Sequence, residues 1–450
     1  MPEDARAIVD RPHKAVTDCV NMGGIQVIRS ILKTALLTTA LVGVSVGGAL
    51  AKDTIIWWDF LGGGDGVRMK SLLDQFNKES TDLEIQATTL DWGTPFYTKV
   101  QTSAAVGEGP DIMTYHESRI PLGVSTGSLS EITPDEIKAA GLDAKNYAPA
   151  NWAAAQVDGK QYAIPLDIHS IILYYNKDLL KAAGLLGDDG KPKGLDGAAN
   201  FDAALKKLTA NGVSGLALPN DGGTAWRVFY TLLNQDNGTF FKDNKFLDGD
   251  NLQKATDVLT EMQGWVKNGY TPANTEYPAS IALFTSGKAA MHINGVWEVP
   301  TMVDLQKQGK LFDWGAVQIP VFYDHAATWA DSHAFAIPNR QGKELTPDKR
   351  KEVLSIIKWF NEHSLAWAGG GHVPAYIPVT SSDDFKNLKP NSDYSGLAAT
   401  AVFDPVSTLA GVASPVYDAA GNYIVPVIQG EMAPADGAKQ MADDLQGQVK

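Results

Sequence analysis

An aspartate and a histidine two positions apart, Asp167 and His169, lie between two apolar runs at 162–166 and 171–175. A carboxylate beside an imidazole can hydrogen-bond the hydroxyl groups of a ligand, and both ring nitrogens can donate or accept. The same pattern also fits an ordinary connection between strands with a solvated aspartate and histidine. We treat the pair as a candidate site and ask what the surrounding elements would place beside it.

Ligands of open α/β sheets bind beyond the carboxyl ends of the strands. Applied to this chain, that rule selects Trp57, Asp59, Asp65, Tyr115, His116, Glu117, Arg119, Asp167, His169, Trp226, Arg227, Asn294, Trp297, Trp329, Asp331, His333 and His372. An indole can stack on the C–H face of a sugar ring, while carboxylates, amides and imidazoles bind its hydroxyl groups. The set therefore predicts a polyhydroxylated ligand, although any single tryptophan next to a strand is more often a core residue than a stacking surface.

Strands are predicted at 54–58, 83–89 and 110–115, with helices at 67–77 and 95–106 between them. This order predicts an α/β sheet with substantial parallel pairing and helices packed on it. Pro165 cannot donate to a sheet ladder, so the strand before it should end there or lie on an edge. A buried strand resumes at 171–175, which places Asp167 and His169 between two sheets, at a hinge. The three glycines at 62–64 lack the spacing of a nucleotide-binding loop.

The chain has 450 residues, too many for one small core, so two lobes are expected. With 44% hydrophobic and 20% charged residues it resembles an ordinary globular protein. Its net charge of −14 disfavours nucleic-acid binding by long-range electrostatics.

Residues 22–51 are typical of a signal peptide: Arg29 and Lys33 precede an apolar run, and 49–51 is a small-x-small cleavage pattern. We expect cleavage after Ala51, a dispensable extension at 1–21 and a periplasmic product. The alternative is that this segment is not cleaved and stays as a membrane anchor. The chain beyond residue 51 contains no cysteine, which leaves no disulfide, thiolate ligand, cysteine nucleophile or lipid attachment there.

Several short motifs occur in a characteristic order and spacing: GPDI at 109–112, LSEITP at 129–134, DGK at 158–160 leading into YNKDL at 175–179, FTSGKAAM at 284–291, NGVW at 294–297 and GHVPA at 371–375. Together they resemble the family 1 extracellular solute-binding proteins of carbohydrate ABC importers, of which maltose-binding protein is the familiar member. The resemblance spans nearly the whole chain beyond the signal segment.

The resemblance implies a two-lobed, type II-like periplasmic-binding-protein fold, with mostly parallel sheets joined by crossing hinge strands. The lobes would comprise 53–166 plus about 331–378, and 168–330 plus about 379–450, with a second crossing near 329–333. It further implies a monomer that needs no cofactor, binds a carbohydrate and delivers it to a membrane permease.

Position by position, the family's cleft contacts fall on Trp57, Asp59, the run 115–119, His169, the loop before Arg227, and Trp297. Maltose-binding protein has a carboxylate where His169 stands and a tryptophan where Tyr115 stands. These departures leave the particular sugar open but keep the binding mode. Asp331 and His333 also fill a place where many relatives carry small residues, so we expect a smaller or differently substituted glycan than a linear maltodextrin.

Two other functions fit some of the same residues. A glycoside hydrolase would need paired carboxylates, such as Glu117 with Asp59 or Asp331. A metal-binding transport protein could use His116, His169, His333 and His372, since imidazole suits zinc or nickel, but the chain lacks HxxxH and HxH spacing. We predict neither a catalytic residue nor a metal site.

Overall fold

The computed structural model describes residues 52–209 and 213–449. The predicted extension, signal peptide and cleavage position therefore lie outside the described residues. Within them, no helix has both the length and the apolar character that a bilayer crossing requires.

The strands of the described residues are, in chain order, β1 (Asp53–Asp59), β2 (Leu83–Thr89), β3 (Ile112–His116), β4 (Gln156–Val157), β5 (Lys160–Gln161), β6 (Ala163–Pro165), β7 (Asp167–Asn176), β8 (Ser214–Ala217), β9 (Phe241–Lys242), β10 (Lys245–Phe246), β11 (Ala289–Gly295), β12 (Trp314–Val317), β13 (Thr328–Asp331), β14 (His333–Ala336), β15 (Val373–Pro374) and β16 (Ala401–Phe403).

The helices are α1 (Gly63–Glu79), α2 (Thr94–Ala105), α3 (Ile120–Ser125), α4 (Pro134–Ala139), α5 (Pro149–Ala154), α6 (Lys177–Ala182), α7 (Ala198–Thr209), α8 (Gly222–Gln235), α9 (Asn251–Lys267), α10 (Tyr277–Thr285), α11 (Val299–Lys307), α12 (Pro347–Glu362), α13 (Ser364–Ala368), α14 (Ile377–Thr380), α15 (Asp383–Asn387), α16 (Asn391–Tyr394), α17 (Leu397–Thr400), α18 (Pro415–Ala419), α19 (Val425–Gln429) and α20 (Pro434–Gln446).

The first sheet has the order β2-β1-β3-β14-β6. Its amino-terminal strands pair in parallel, as the β-α-β-α-β pattern predicted, while β14 runs antiparallel to both β3 and β6. β6 lies on the edge, as expected for a strand that ends in Pro165.

The second sheet is organised around β7, whose ten residues are all buried. Its order is β16-β13-β7-β11-β8, and β12 and β15 also pair with β7. β7 runs antiparallel to each of these neighbours, whereas β8 with β11 and β13 with β16 pair in parallel. Both sheets thus contain parallel pairs but are mixed, because the crossing strands run against their neighbours.

The chain passes between the two sheets three times, and in the first two passages a single residue separates the strands. Leu166 separates β6 from β7, and Ser332 separates β13 from β14. The sequence predicted that Asp167 and His169 lie in the connection between two strands. They lie instead in β7 itself, because the ladder to β13 and β15 continues to the first residues of β7.

The loop after β1 is shorter than predicted, since α1 begins at Gly63 rather than near Val67. Its N-cap, Gly62, has no side chain that could accept a hydrogen bond from the first turn. Asp65 consequently lies in that first turn, where a carboxylate is favoured by the helix dipole.

Candidate functional site

A cavity of about 1250 Å³ lies between residues that belong to both sheets and their connections. This volume exceeds the roughly 300–1000 Å³ that is usual for small-molecule pockets. Six of the residues selected from the sequence line it: Asp65, His116, His169, Arg227, Trp297 and His333. They come from the start of α1, the end of β3, β7, α8, the turn after β11 and the start of β14.

Three of the selected tryptophans lie in the core instead. Trp57 is fully buried, packs against Phe335 and Phe360, and donates a hydrogen bond to the Thr114 hydroxyl at 3.1 Å. Trp226 and Trp329 are also fully buried. Strand pleating and helix packing turn these indoles inward, so they do not line the cavity.

Asp59 and Tyr115 likewise lie away from the cavity. The Asp59 carboxylate accepts a hydrogen bond from the Leu61 N–H at 3.0 Å, and the buried ring of Tyr115 packs edge-on against Tyr97. Arg119 stacks its guanidinium on Tyr97 at 4.7 Å. The family-based placement of cleft contacts on Trp57, Asp59, Tyr115 and Arg119 is therefore not matched by the lining.

The remaining selected residues form a layer behind the lining. His372 contacts Asp65 through its Nε2, 2.9 Å from the carboxylate. Asn294 accepts a hydrogen bond from the Gly295 N–H at 2.7 Å. Asp331 accepts hydrogen bonds from the Ser118 N–H at 3.1 Å and the Ser118 hydroxyl at 2.5 Å.

Asp167 is the centre of that layer and is fully buried. Its carboxylate lies 2.6 Å from the Trp367 indole nitrogen, 3.1 Å from His169 Nδ1 and 2.8 Å from His333 Nδ1, and it accepts a further bond from the His333 N–H. Burial alone would raise the pKa of Asp167, but the neighbouring His333 and His372 hold it well below its usual value. Asp167 is thus an anion that accepts bonds from residues of both sheets.

His116 and His169, which line the cavity, are neutral at physiological pH. Burial, together with His333, lowers the pKa of His169 to about 3, and burial also holds the pKa of His116 well below its usual value. His116 Nδ1 lies 2.5 Å from the Tyr97 hydroxyl, and His169 Nδ1 faces Asp167. Neutral rings with one nitrogen already engaged can offer the other to a ligand hydroxyl group.

Asp167, His169, His333 and His372 lie close enough for a shared metal ion, with possible ligand atoms within 4.8 Å of one another. The hydrogen bonds given above account for this proximity without an ion, because the Trp367 indole and the His333 N–H already occupy the Asp167 oxygens. The hydrolase hypothesis finds no support in the lining either. Glu117 and Asp331 are buried behind it, and burial raises the pKa of Asp331 to about 6.

Sequence reasoning missed several lining residues, among them Trp92, Asp221, Tyr277, Glu298 and Tyr417. Trp92 follows the carboxyl end of β2 by three residues, so the strand-end rule could have found it. Tyr277 and Tyr417 stand near the starts of α10 and α18, and nothing in their local sequence marks them.

Trp297 is held in position by these residues. Its indole N–H donates to the Tyr277 hydroxyl at 2.7 Å, and that hydroxyl lies 2.8 Å from the Glu298 carboxylate. The ring also lies over Gly295, where an added Cβ would come within 2.1 Å of it. Position 295 therefore requires glycine for the indole to take this place.

The sequence profile described as "Bacterial extracellular solute-binding protein" matches residues 71–382. The chain is 30% identical over 229 residues to the maltodextrin-binding protein MdxE of Bacillus subtilis (strain 168), an alignment that spans about half of each chain, 48% of both. It is 24% identical to the arabinooligosaccharide-binding protein of the same organism over 85% of this chain and 87% of that one. It is also 25% identical to the sn-glycerol-3-phosphate-binding periplasmic protein UgpB of Brucella abortus (strain 2308), over 66% of this chain and 68% of that one.

Among solved structures, the GacH receptor of Streptomyces glaucescens GLA.O superposes with a TM-score of 0.72 at 18% identity, covering 88% of this chain and 98% of the receptor. The maltose-bound MalE3 of T. maritima superposes with a TM-score of 0.72 at 20% identity, covering 88% of this chain and 100% of MalE3. At these identities the likeness establishes the fold, which is that of the two-lobed periplasmic binding proteins. The chain belongs to the bacterial extracellular solute-binding protein family.

Proposed function

We propose that this protein is the periplasmic substrate-binding component of an ABC importer and captures a sugar in the cavity between its lobes. The observation that carries the proposal is the composition of the lining. The exposed indole of Trp92 and the partly buried indole of Trp297 offer stacking faces, and the neutral imidazoles of His116 and His169 offer hydrogen bonds to hydroxyl groups.

The two single-residue crossings support a hinge. A few residues are enough to absorb the backbone change of a domain closure. A ligand that contacts both lobes binds the closed state better and shifts the population towards it. The lobes would comprise 53–166 plus about 331–378, and 168–330 plus about 379–450.

The related binding proteins named above support export and delivery to a permease, and the other parts of the proposal come from the sequence. The product would be exported with cleavage after Ala51, act as a monomer without cofactor or catalysis, and hand its sugar to permease subunits. The candidate ligand contacts are Asp65, His116, His169, Arg227, Trp297 and His333, with Trp92 and Tyr277 added.

A thermal-shift screen of mono-, di- and oligosaccharides on the purified protein tests the proposal. A stabilising sugar should then reduce the radius of gyration measured by small-angle scattering. A tightly bound sugar that leaves the radius unchanged would contradict closure. New reducing ends in the same incubations would instead indicate a hydrolase.

A further inference from the structure

One charged side chain of the cavity, that of Arg227, has no ion-pair partner among the described residues. Arg227 is only 9% exposed, and its Nε is buried without a hydrogen-bond partner among the described residues. No described carboxylate lies within the 4.0 Å of an ion pair. Instead, its guanidinium lies 4.6 Å from the Trp329 ring centre, 4.9 Å from that of Trp297 and 5.7 Å from that of Tyr417.

A buried cation without a hydrogen-bonded counter-charge costs several kcal/mol by order of magnitude. Stacking on aromatic faces offsets part of this cost and fixes the plane of the guanidinium. Stacking on the faces of the guanidinium does not engage the N–H donors in its plane, and these donors form the forked arrangement that matches an oxyanion. The aromatic rings therefore orient Arg227 without neutralising it.

The three partly buried acidic residues of the lining differ from Arg227 in having hydrogen-bond partners, while the fourth, Asp418, is exposed. Asp221 caps α8 by accepting bonds from the Thr224 N–H at 2.9 Å and the Thr224 hydroxyl at 2.8 Å. Glu298 lies 2.8 Å from the Tyr277 hydroxyl, and Asp65 lies 2.9 Å from His372. Among the described lining residues, the buried charge without a partner is therefore the positive one.

The start of α1 also lines the cavity, with the Asp65 carboxylate in its first turn. Gly62, Gly63 and Gly64 line it, and this 17-residue helix has no side-chain cap. The first N–H groups of an uncapped helix favour anions.

We propose that the bound sugar carries an anionic substituent, a carboxylate or a phosphate or sulfate ester, and that Arg227 receives it. This inference rests on the proposed sugar-binding function and narrows it to acidic sugars. The substituent would replace the missing counter-ion of Arg227, while the indoles and imidazoles bind the ring and its hydroxyl groups.

The test compares matched neutral and charged sugars by calorimetry, in the gluco and galacto series. The pairs are a neutral disaccharide with its uronic-acid counterpart, a hexose with its 6-phosphate, and a hexose with its 6-sulfate. One charged class should bind at least about tenfold more tightly than its neutral partner, and the class that does so distinguishes carboxylate, phosphate and sulfate.

Arg227→Gln should abolish that difference and leave the weaker affinity for the neutral sugar. Arg227→Lys keeps the charge but loses the forked N–H donors, so it should retain part of the difference in affinity between the charged and the neutral sugar. Arg340→Gln, which removes a guanidinium paired with Asp111 outside the cavity, is the matched control and should behave as wild type. The apo melting temperature of each variant reports folding.

Equal or tighter binding of the neutral member in every pair would overturn the inference while leaving sugar binding intact. A charge preference that survives Arg227→Gln would also overturn it. Failure of all sugars, neutral and charged, to bind the folded wild type would instead overturn the proposed function itself.

Discussion

Asp167 accepts two bonds from His333, one from the backbone N–H at 3.0 Å and one from the imidazole Nδ1 at 2.8 Å. Asp167 is the first residue of β7 in the second sheet, and His333 is the first residue of β14 in the first sheet. One carboxylate thus joins the two strands where the chain crosses between the two sheets. These bonds fix the two strands to each other at the crossing.

Asp167→Asn should destabilise the protein by about 3–5 kcal/mol, because it leaves buried donors facing an amide instead of an anion. Denaturant unfolding at neutral pH measures this. Since the pKa of Asp167 is depressed in the folded state, its contribution is present above the pKa of the unfolded chain and is lost as the pH falls through the folded value. A variant as stable as wild type at pH 7 would contradict this role.

Asp404 should have the opposite pH dependence. Burial raises the pKa of this carboxyl, which accepts bonds from the indoles of Trp226 at 2.7 Å and Trp329 at 3.0 Å, to about 7. Wild-type stability should therefore fall as the pH rises from about 4 to 7. Relative to wild type, Asp404→Asn should gain about 1.4 kcal/mol per pH unit across that window. Parallel stability curves for the two proteins would refute a raised pKa.

Trp92→Ala should weaken sugar binding roughly tenfold while leaving the apo melting temperature nearly unchanged. The indole is 52% exposed, so little of its packing contributes to folding, yet it lines the cavity. Val106→Ala, at a position 62% exposed and outside the lining, serves as the control in the same titrations. Unaltered affinity in the Trp92 variant would exclude this indole as a stacking surface.

Gly295→Ala should weaken binding about as much as Trp297→Ala, although it removes no cavity-lining side chain. The backbone at 295 is extended, with φ −73°, and accepts alanine, but the new methyl group would displace the Trp297 ring. Gly264→Ala is the matched control, because nothing lies within 4 Å of its added Cβ. Indole fluorescence and ligand titration together measure the effect. Normal affinity in Gly295→Ala would mean that the indole position is unimportant for binding.

His169→Asn should weaken sugar binding while leaving the apo protein folded. Asparagine can still donate to Asp167 from near the Nδ1 position, but it cannot replace the outer ring nitrogen. Since the pKa of His169 is about 3, wild-type affinity should not change through its titration between pH 8 and 5. Titrations across that range check both points. Full affinity in the variant would leave His169 with a structural role only.

Much of the architecture was predictable from local patterns. Alternating apolar runs and helical periodicity located β1, β2 and β3 to within a few residues, and Pro165 correctly indicated an edge strand. The strand-end rule also selected six residues that line the cavity, since it depends only on where strands stop.

Only the tertiary structure decided which aromatic residues face the cavity. Trp57 and Trp329 follow the same sequence rule as the indoles that line it, but helices and strands from distant parts of the chain bury them. The aromatic surroundings of Arg227 come from β13, the turn after β11 and α18, three segments far apart in sequence. Sequence periodicity determines which side of an element is apolar, whereas the charge and shape of a cavity depend on which distant elements pack together, because burial and the distances between side chains are set only there.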